Sequence, residues 1–313
     1  MMRVLTSCVL AAITAVVASC RGGTPEGAAA GDPARVVSLH DVTTEMVVAL
    51  GATDQLVGVA APVDTTPEVE RALAGVPRVG EPESIMATRP DVVLGLGIVA
   101  EQSPELVARL REAGIDVVLG DPATVDDVLA LTEDIARRVG VDGAPLAASL
   151  RARVAALSVA RRASTGAAGS QPRRVFVYDC CDPPFTAGRK TVEHELLARA
   201  GGVNLFADLD ADWAHVSWEE VVARRPELIV VHDYRWDGQG DVDEKRRALA
   251  AIPSLANVPV AVVPLGSVLG GLRSIDGLER LRAAIARPET ETQSASASAS
   301  ASASAPASVE VAR

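Results

Sequence analysis

The sequence predicts an α/β fold of two Rossmann-like lobes joined by one long backbone helix, and three observations carry that prediction. Short apolar, β-rich runs alternate with amphipathic helical stretches, the pattern that builds parallel sheets covered by helices. Two of those runs end abruptly in polar and aromatic side chains. Residues 175–178 stop at Asp179, Cys180, Cys181, Asp182 and two prolines, and residues 228–231 stop at His232, Asp233, Tyr234 and Trp236. The carboxyl end of a buried strand is where such a lobe holds a ligand. Finally, residues 144–164 continue almost without a helix breaker, and about 1.5 Å per residue makes them a rod of roughly 30 Å, long enough to pass from one lobe to the other.

Taken in order, residues 35–39 read as a strand, and Thr43-Thr44-Glu45 starts a helix that Gly51 closes. Residues 56–61 are the next strand. A loop with a short helix leads to a second helix before Arg89-Pro90-Asp91, and the strand 92–96 follows. Ser103-Pro104-Glu105 caps a helix to Ala113, residues 114–119 form a strand, and 124–139 carry an apolar stripe at helical spacing. After the long helix, the Gly/Ser-rich segment 165–172 marks the start of the second lobe. There Val192, Leu196 and Leu197 lie on one helical face that Gly201-Gly202 ends, and Ser217 caps a helix with Glu219 and Glu220 in its first turn. A helix at 242–251, a strand at 260–264 and a closing helix at 275–286 complete the lobe. The implied divisions are a leader (1–20), a tether (21–33), an N-terminal lobe (34–140), a connecting helix (141–164), a C-terminal lobe (173–287) and a tail (288–313).

With 313 residues, 48% of them hydrophobic and only 3% aromatic, the chain can bury a sizeable, mainly aliphatic core. A net charge of −11 without a basic run argues against nucleic acid and anionic membrane surfaces as partners. Arg3, the apolar run 9–17 and Val17-Ala18-Ser19-Cys20 read as a secretory signal ending in a lipobox-like sequence, which makes Cys20 the lipidated N-terminus. The competing readings are an ordinary signal peptide or a membrane anchor, but the run is short of the roughly 20 residues that span about 30 Å of hydrocarbon. With Cys8 in the leader and Cys20 lipidated, the adjacent Cys180 and Cys181 remain, and they form a strained disulfide at best. The Ser-Ala repeats beyond Glu289 are too poor in large apolar groups to pack, so a disordered tail is expected.

The runs PPFTAGRK at 183–190, GGVNLF at 201–206 and WAHVSWEEV at 213–221 resemble, in register, the C-terminal lobe of the ABC importer solute-binding proteins for iron siderophores, heme and corrinoids. RVVSLHDVTTEMVVALGATDQLVGV at 35–59 resembles the same family's opening, and ESIMATRPDVV at 83–93 is a second, independent signature. The likeness is greatest to the cobalamin-binding component. It implies a class III periplasmic binding protein, exported to the cell envelope, whose lobes are bridged by the long helix and close through a small hinge motion. It further implies a metal chelate as cargo, a permease dimer with its ATPase as partner, a membrane contact through the lipid alone, and no resident cofactor or metal.

By the same resemblance, Phe185 and Trp213 correspond to aromatic walls of the corrinoid cleft, where flat macrocycles are held by apolar faces. The family's N-lobe aromatic positions fall here on Pro62 and near Arg78-Val79, so a siderophore or heme stays open as cargo. Glu83 and Glu219, one per lobe, match the acids that meet arginines on the permease, although both also stand in first turns where the helix dipole favours them. His40 and Asp41 stand at the end of the first strand, and Tyr234 and Trp236 either add a wall to the cleft or pack on the closing helix.

Cys180, Cys181, Asp179, Asp182, His40, His215 and His232 are all placed to reach the cleft mouth. Thiolates with imidazole suit a bare transition metal, which makes direct metal-ion binding the alternative function; a single axial contact to a chelated metal is the other use for one of these groups. No G-x-S-x-G, Walker loop or H-E-x-x-H occurs, and no nucleophile and base can be assembled. Binding without catalysis is the expectation.

Overall fold

The computed structural model describes residues 33–62, 64–164, 171–234 and 241–286. The expected leader with Cys20, the tether, Trp236 and the Ser-Ala tail lie outside the described residues. Among those described, no helix is long and apolar enough to cross a membrane.

The first lobe is built on four parallel strands, β1 (Val36–Ser38), β2 (Leu56–Val59), β3 (Val92–Leu96) and β4 (Asp116–Gly120), in the order β2-β1-β3-β4. Helices α1 (Asp41–Ala49), α2 (Pro67–Ala72), α3 (Pro82–Ala87), α4 (Gly97–Gln102), α5 (Pro104–Glu112) and α6 (Val125–Arg138) make the connections. Val36, Val37, Val92, Val93 and Leu94 are buried because helices cover both faces of the sheet, which is why these strands read as unbroken apolar runs.

The second lobe repeats the plan with β5 (Arg173–Tyr178), β7 (Gly202–Asn204), β9 (Leu228–Asp233) and β10 (Val260–Pro264), all parallel in the order β10-β9-β5-β7. Its helices are α8 (Val192–Ala200), α9 (Trp218–Arg224), α10 (Val242–Ala250) and α11 (Ser274–Ala286). A small antiparallel ribbon, β6 (Phe185–Ala187) with β8 (Trp213–His215), is laid beside the end of β5. In each sheet the strand order reverses about the first strand, between β1 and β3 and between β5 and β9. Open α/β sheets bind ligands at such reversal points, beyond the carboxyl ends of the strands.

Helix ends follow the local chemistry. Thr124 and Asp127 form a capping box on α6, Thr191 caps α8, Gly201 ends α8 with φ 98°, and Ser217 caps α9. α1 begins earlier than the sequence suggests. Thr43 and Thr44 do not cap it; their hydroxyls bond back to the carbonyl of His40, and the His40 ring caps the helix instead.

The connecting helix α7 (Ala144–Ser164) is fastened to both lobes: Arg151 pairs with Glu133 of α6 at 2.7 Å, and Arg153 with Asp276 of α11 at 2.6 Å. Those exposed pairs add little stability. The stronger connection is apolar, because Val36, Met46 and Leu129 of the first lobe, Leu150 of α7, and Val175, Leu196 and Ile275 of the second belong to one continuous buried cluster.

One charged seam crosses the same boundary. Arg273, just before α11, places Nε 3.0 Å from Glu45 Oε2 and Nη1 3.3 Å from Asp64 Oδ2, and it also donates to the Asp64 carbonyl. Gly266 N–H donates to the same Asp64 carboxylate at 2.8 Å, so loop 265–273 is tied to the first lobe on both sides. Both carboxylates are buried. Burial pushes Glu45 up to about 7, with Arg273 offsetting part of the rise.

Two outcomes are expected. Arg273→Ala strands two buried carboxylates and is expected to cost about 3–5 kcal/mol in urea unfolding; a loss below about 1 kcal/mol would mean that the seam does not hold the lobes. Glu45 binds its proton more tightly folded than unfolded, so its contribution is complete below 4.5, its ordinary value, and is lost as pH rises through about 7. The stability of wild type relative to Glu45→Gln is therefore expected to fall between those values, by at most about 1.4 kcal/mol per pH unit. A difference that rises with pH would overturn the assignment.

Candidate functional site

A cleft of about 510 Å³ opens between the lobes at the ends of the strands. That is within the roughly 300–1,000 Å³ typical of small-molecule and cofactor sites. From the first lobe it takes His40, which follows β1, together with Leu96 and Ile98 where β3 runs into α4. From the second lobe it takes Val192 of α8 and Trp213 of β8, with Leu269 of the seam loop at its base. Helix α4 buries none of its residues, and Ile98 is 40% exposed, a large apolar side chain left open at the cleft. The charged lining is Glu101, Asp121, Asp212 and Lys190, and Lys190 is engaged by Asp210 at 3.2 Å. Apolar walls with an acidic rim suit a flat ligand that carries no net negative charge.

Trp213 is seated on a layered support. Phe185 stacks on it with ring centres 5.9 Å apart, and His232 meets it in an edge-to-face contact at the same separation. His232 is fully buried between two carboxylates, with Nδ1 2.6 Å from Asp179 and Nε2 3.1 Å from Glu193. Burial works to lower the imidazole's pKa, but Glu193 and Asp179 outweigh it and raise the value to about 9. Burial likewise favours the neutral form of Asp179, yet His232, the Tyr234 hydroxyl and Lys245 together hold it below the usual carboxylate range. Lys245 donates to the His232 carbonyl at 2.6 Å and lies 4.3 Å from the centre of the Tyr234 ring; burial draws it down to about 8. The group fills the reversal point between β5 and β9, so the second lobe offers a stiff, capped surface there rather than an open crevice.

Of the residues expected at the ligand, His40 and Trp213 line the cleft and Asp41 lines an adjoining pocket of about 140 Å³. Phe185 stands one layer back, as Trp213's support. Three other expectations need correction. Cys180 and Cys181 are joined in a disulfide, which leaves no thiolate for a metal, and no group of His, Cys, Asp and Glu among the described residues could hold an ion. His215 packs on Phe185, with Nδ1 2.9 Å from the Pro183 carbonyl, and Tyr234 bonds to Asp179; neither reaches the cleft lining. Pro62, Arg78 and Val79 are also outside it, and the first lobe's wall comes instead from Leu96 and Ile98. Sequence reasoning missed those two, although Ile98 in an otherwise unburied helix directly after a strand is a legible sign. It also missed Glu193, whose partner His232 is 39 residues away.

Glu83 stands in the first turn of α3, exposed and paired with Arg109 at 2.8 Å. Glu219 stands exposed in the first turn of α9.

The chain is 32% identical over 199 residues to a vitamin B12-binding protein of Yersinia pestis, covering 63% of this chain and 69% of that one. A periplasmic heme-binding protein from Roseiflexus sp. RS-1 superimposes with a TM-score of 0.67 at 28% identity, over 81% of this chain and 98% of that one. A periplasmic binding protein from Veillonella parvula shares the fold with a TM-score of 0.71 at 24% identity, over 81% and 91% of the two chains. The sequence profile of the family described as periplasmic binding protein matches residues 36–264, the span that holds both sheets and the cleft between them, and the chain belongs to that family.

Proposed function

We propose that this protein captures a corrinoid, or a closely similar metal chelate without net negative charge, in the interlobe cleft and delivers it to an ABC permease dimer driven by its ATPase. A single observation carries the choice of cargo. Trp213 in one wall and Leu96 with Ile98 in the other form an apolar slot, while Glu101, Asp121 and Asp212 at its rim outnumber Lys190, which Asp210 already engages. Heme carries two propionates and ferric catecholates carry several negative charges, so such a rim repels both. A corrin ring presents neutral amides to it. The curated relative from Yersinia pestis named for vitamin B12 agrees with this reading. The protein performs no reaction on its cargo and needs no resident cofactor. Cys20, lipidated after export, tethers it to the membrane. Glu83 and Glu219, at exposed first turns in the two lobes, meet the permease; the Arg109 pair at Glu83 is a solvent-screened surface contact that is readily exchanged for a permease arginine.

Fluorescence titration with cyanocobalamin, hemin and a ferric hydroxamate is expected to give the tightest binding to the corrinoid, by tenfold or more. Trp213→Ala is expected to weaken that binding by about 10- to 100-fold, the worth of one aromatic face. Equal or tighter binding of hemin would remove the charge argument. For docking, the Glu83→Ala/Glu219→Ala double variant is expected to bind cargo normally and to lose uptake in whole cells. Normal uptake would leave both acids as helix-end charges only.

A further inference from the structure

His40 occupies the reversal point of the first sheet, between β1 and β3, and lines both the cleft and the adjoining small pocket. Its ring is not free to use both nitrogens alike. His40 is the N-cap of α1, with extended backbone (φ −148°, ψ 142°), and its Nδ1 accepts the Val42 N–H at 3.2 Å. A neutral imidazole has one donor and one acceptor nitrogen, so committing Nδ1 as acceptor puts the hydrogen on Nε2. Burial lowers the His40 pKa against the opposing influence of Asp41, which keeps the ring neutral at pH 7. No group among the described residues accepts from Nε2.

We infer that His40 offers Nε2–H to the cargo as a hydrogen-bond donor, to an acceptor such as a peripheral amide carbonyl, and that it does not ligate the cargo's metal. This rests on the corrinoid reading above. Ligation would demand the opposite tautomer, with the lone pair on Nε2 and the hydrogen on Nδ1. That hydrogen would face the Val42 N–H, break the cap and leave a helix-end donor unpaired. The helix cap therefore selects the chemistry that the ring presents to the cleft. The axial metal contact expected from the sequence is, at His40, replaced by a contact at the ligand's periphery.

Three measurements test this. In the ligand-free protein, ¹⁵N shifts of the His40 ring are expected to report the Nε2–H tautomer; the Nδ1–H tautomer overturns the inference whatever the cargo is. Diaquocobinamide, whose open axial sites take up an available imidazole, is expected to bind with its visible bands unchanged from the diaquo form. A shift to the imidazole-ligated spectrum that is lost in His40→Asn overturns it. Asparagine is itself a good N-cap but shorter, so His40→Asn is expected to keep the wild-type melting temperature and to weaken cobinamide binding by about three- to tenfold, the worth of one neutral hydrogen bond. Undiminished binding by His40→Asn means that His40 only caps α1 and overturns the inference while leaving the corrinoid reading in place. Failure of wild type to bind any corrinoid removes that reading and the assignment of an acceptor with it, and is told apart by the tautomer measured without cargo.

Discussion

The structure depends on the boundary between its two lobes being packed rather than hinged on a flexible strand. One buried apolar cluster runs from β1 and α1 through α7 into α8 and α11, and Arg273 is set between Glu45 and Asp64 at its edge. Close-packed interiors transmit displacement rather than absorb it, so lobes that share a core move little relative to each other. The cleft's dimensions are therefore set mainly by folding and only secondarily by the cargo. A preformed site loses less conformational entropy on binding, which suits a binding protein.

The second lobe uses a different means to the same end. The carboxyl ends of β5 and β9 would ordinarily be an open crevice, and here they are filled by His232 between Asp179 and Glu193, with Lys245 behind. Isolated charges at such depth would be prohibitive; two carboxylates against one imidazolium and one ammonium are tolerable because they compensate one another and are hydrogen-bonded. Polar networks of this kind specify geometry more than they add stability. Their product is the fixed position of Trp213, which stacks with Phe185 and meets His232 in an edge-to-face contact. The first lobe meets it with aliphatic groups, so the cleft pairs one rigid aromatic wall with a softer one.

Much of the architecture was legible. Unbroken apolar runs located the long parallel strands, and Gly201 and the capping residue Ser217 located helix ends, because both signals are local. The three-residue strands β6, β7 and β8 were not legible. Phe185-Thr186-Ala187 and Trp213-Ala214-His215 pair across 25 intervening positions, and so short a strand carries no periodicity of its own. The start of α1 was misplaced for a related reason: a histidine cap is uncommon, and the adjacent threonines imitate a commoner one.

The site divides along the same line. The chain's residue order was enough to establish the α/β class, the long connector and the likeness of 183–221 to solute-binding proteins, since each of these rests on neighbours in sequence. Tertiary structure alone decided that Leu96 and Ile98 join Trp213 in lining the cleft, that Phe185 and Tyr234 are not part of that lining, and that Glu193 joins Asp179 at His232. Those outcomes depend on which strand ends the two sheet orders bring together, and side chains up to 53 positions apart meet only once β5, α8 and β9 have been packed side by side.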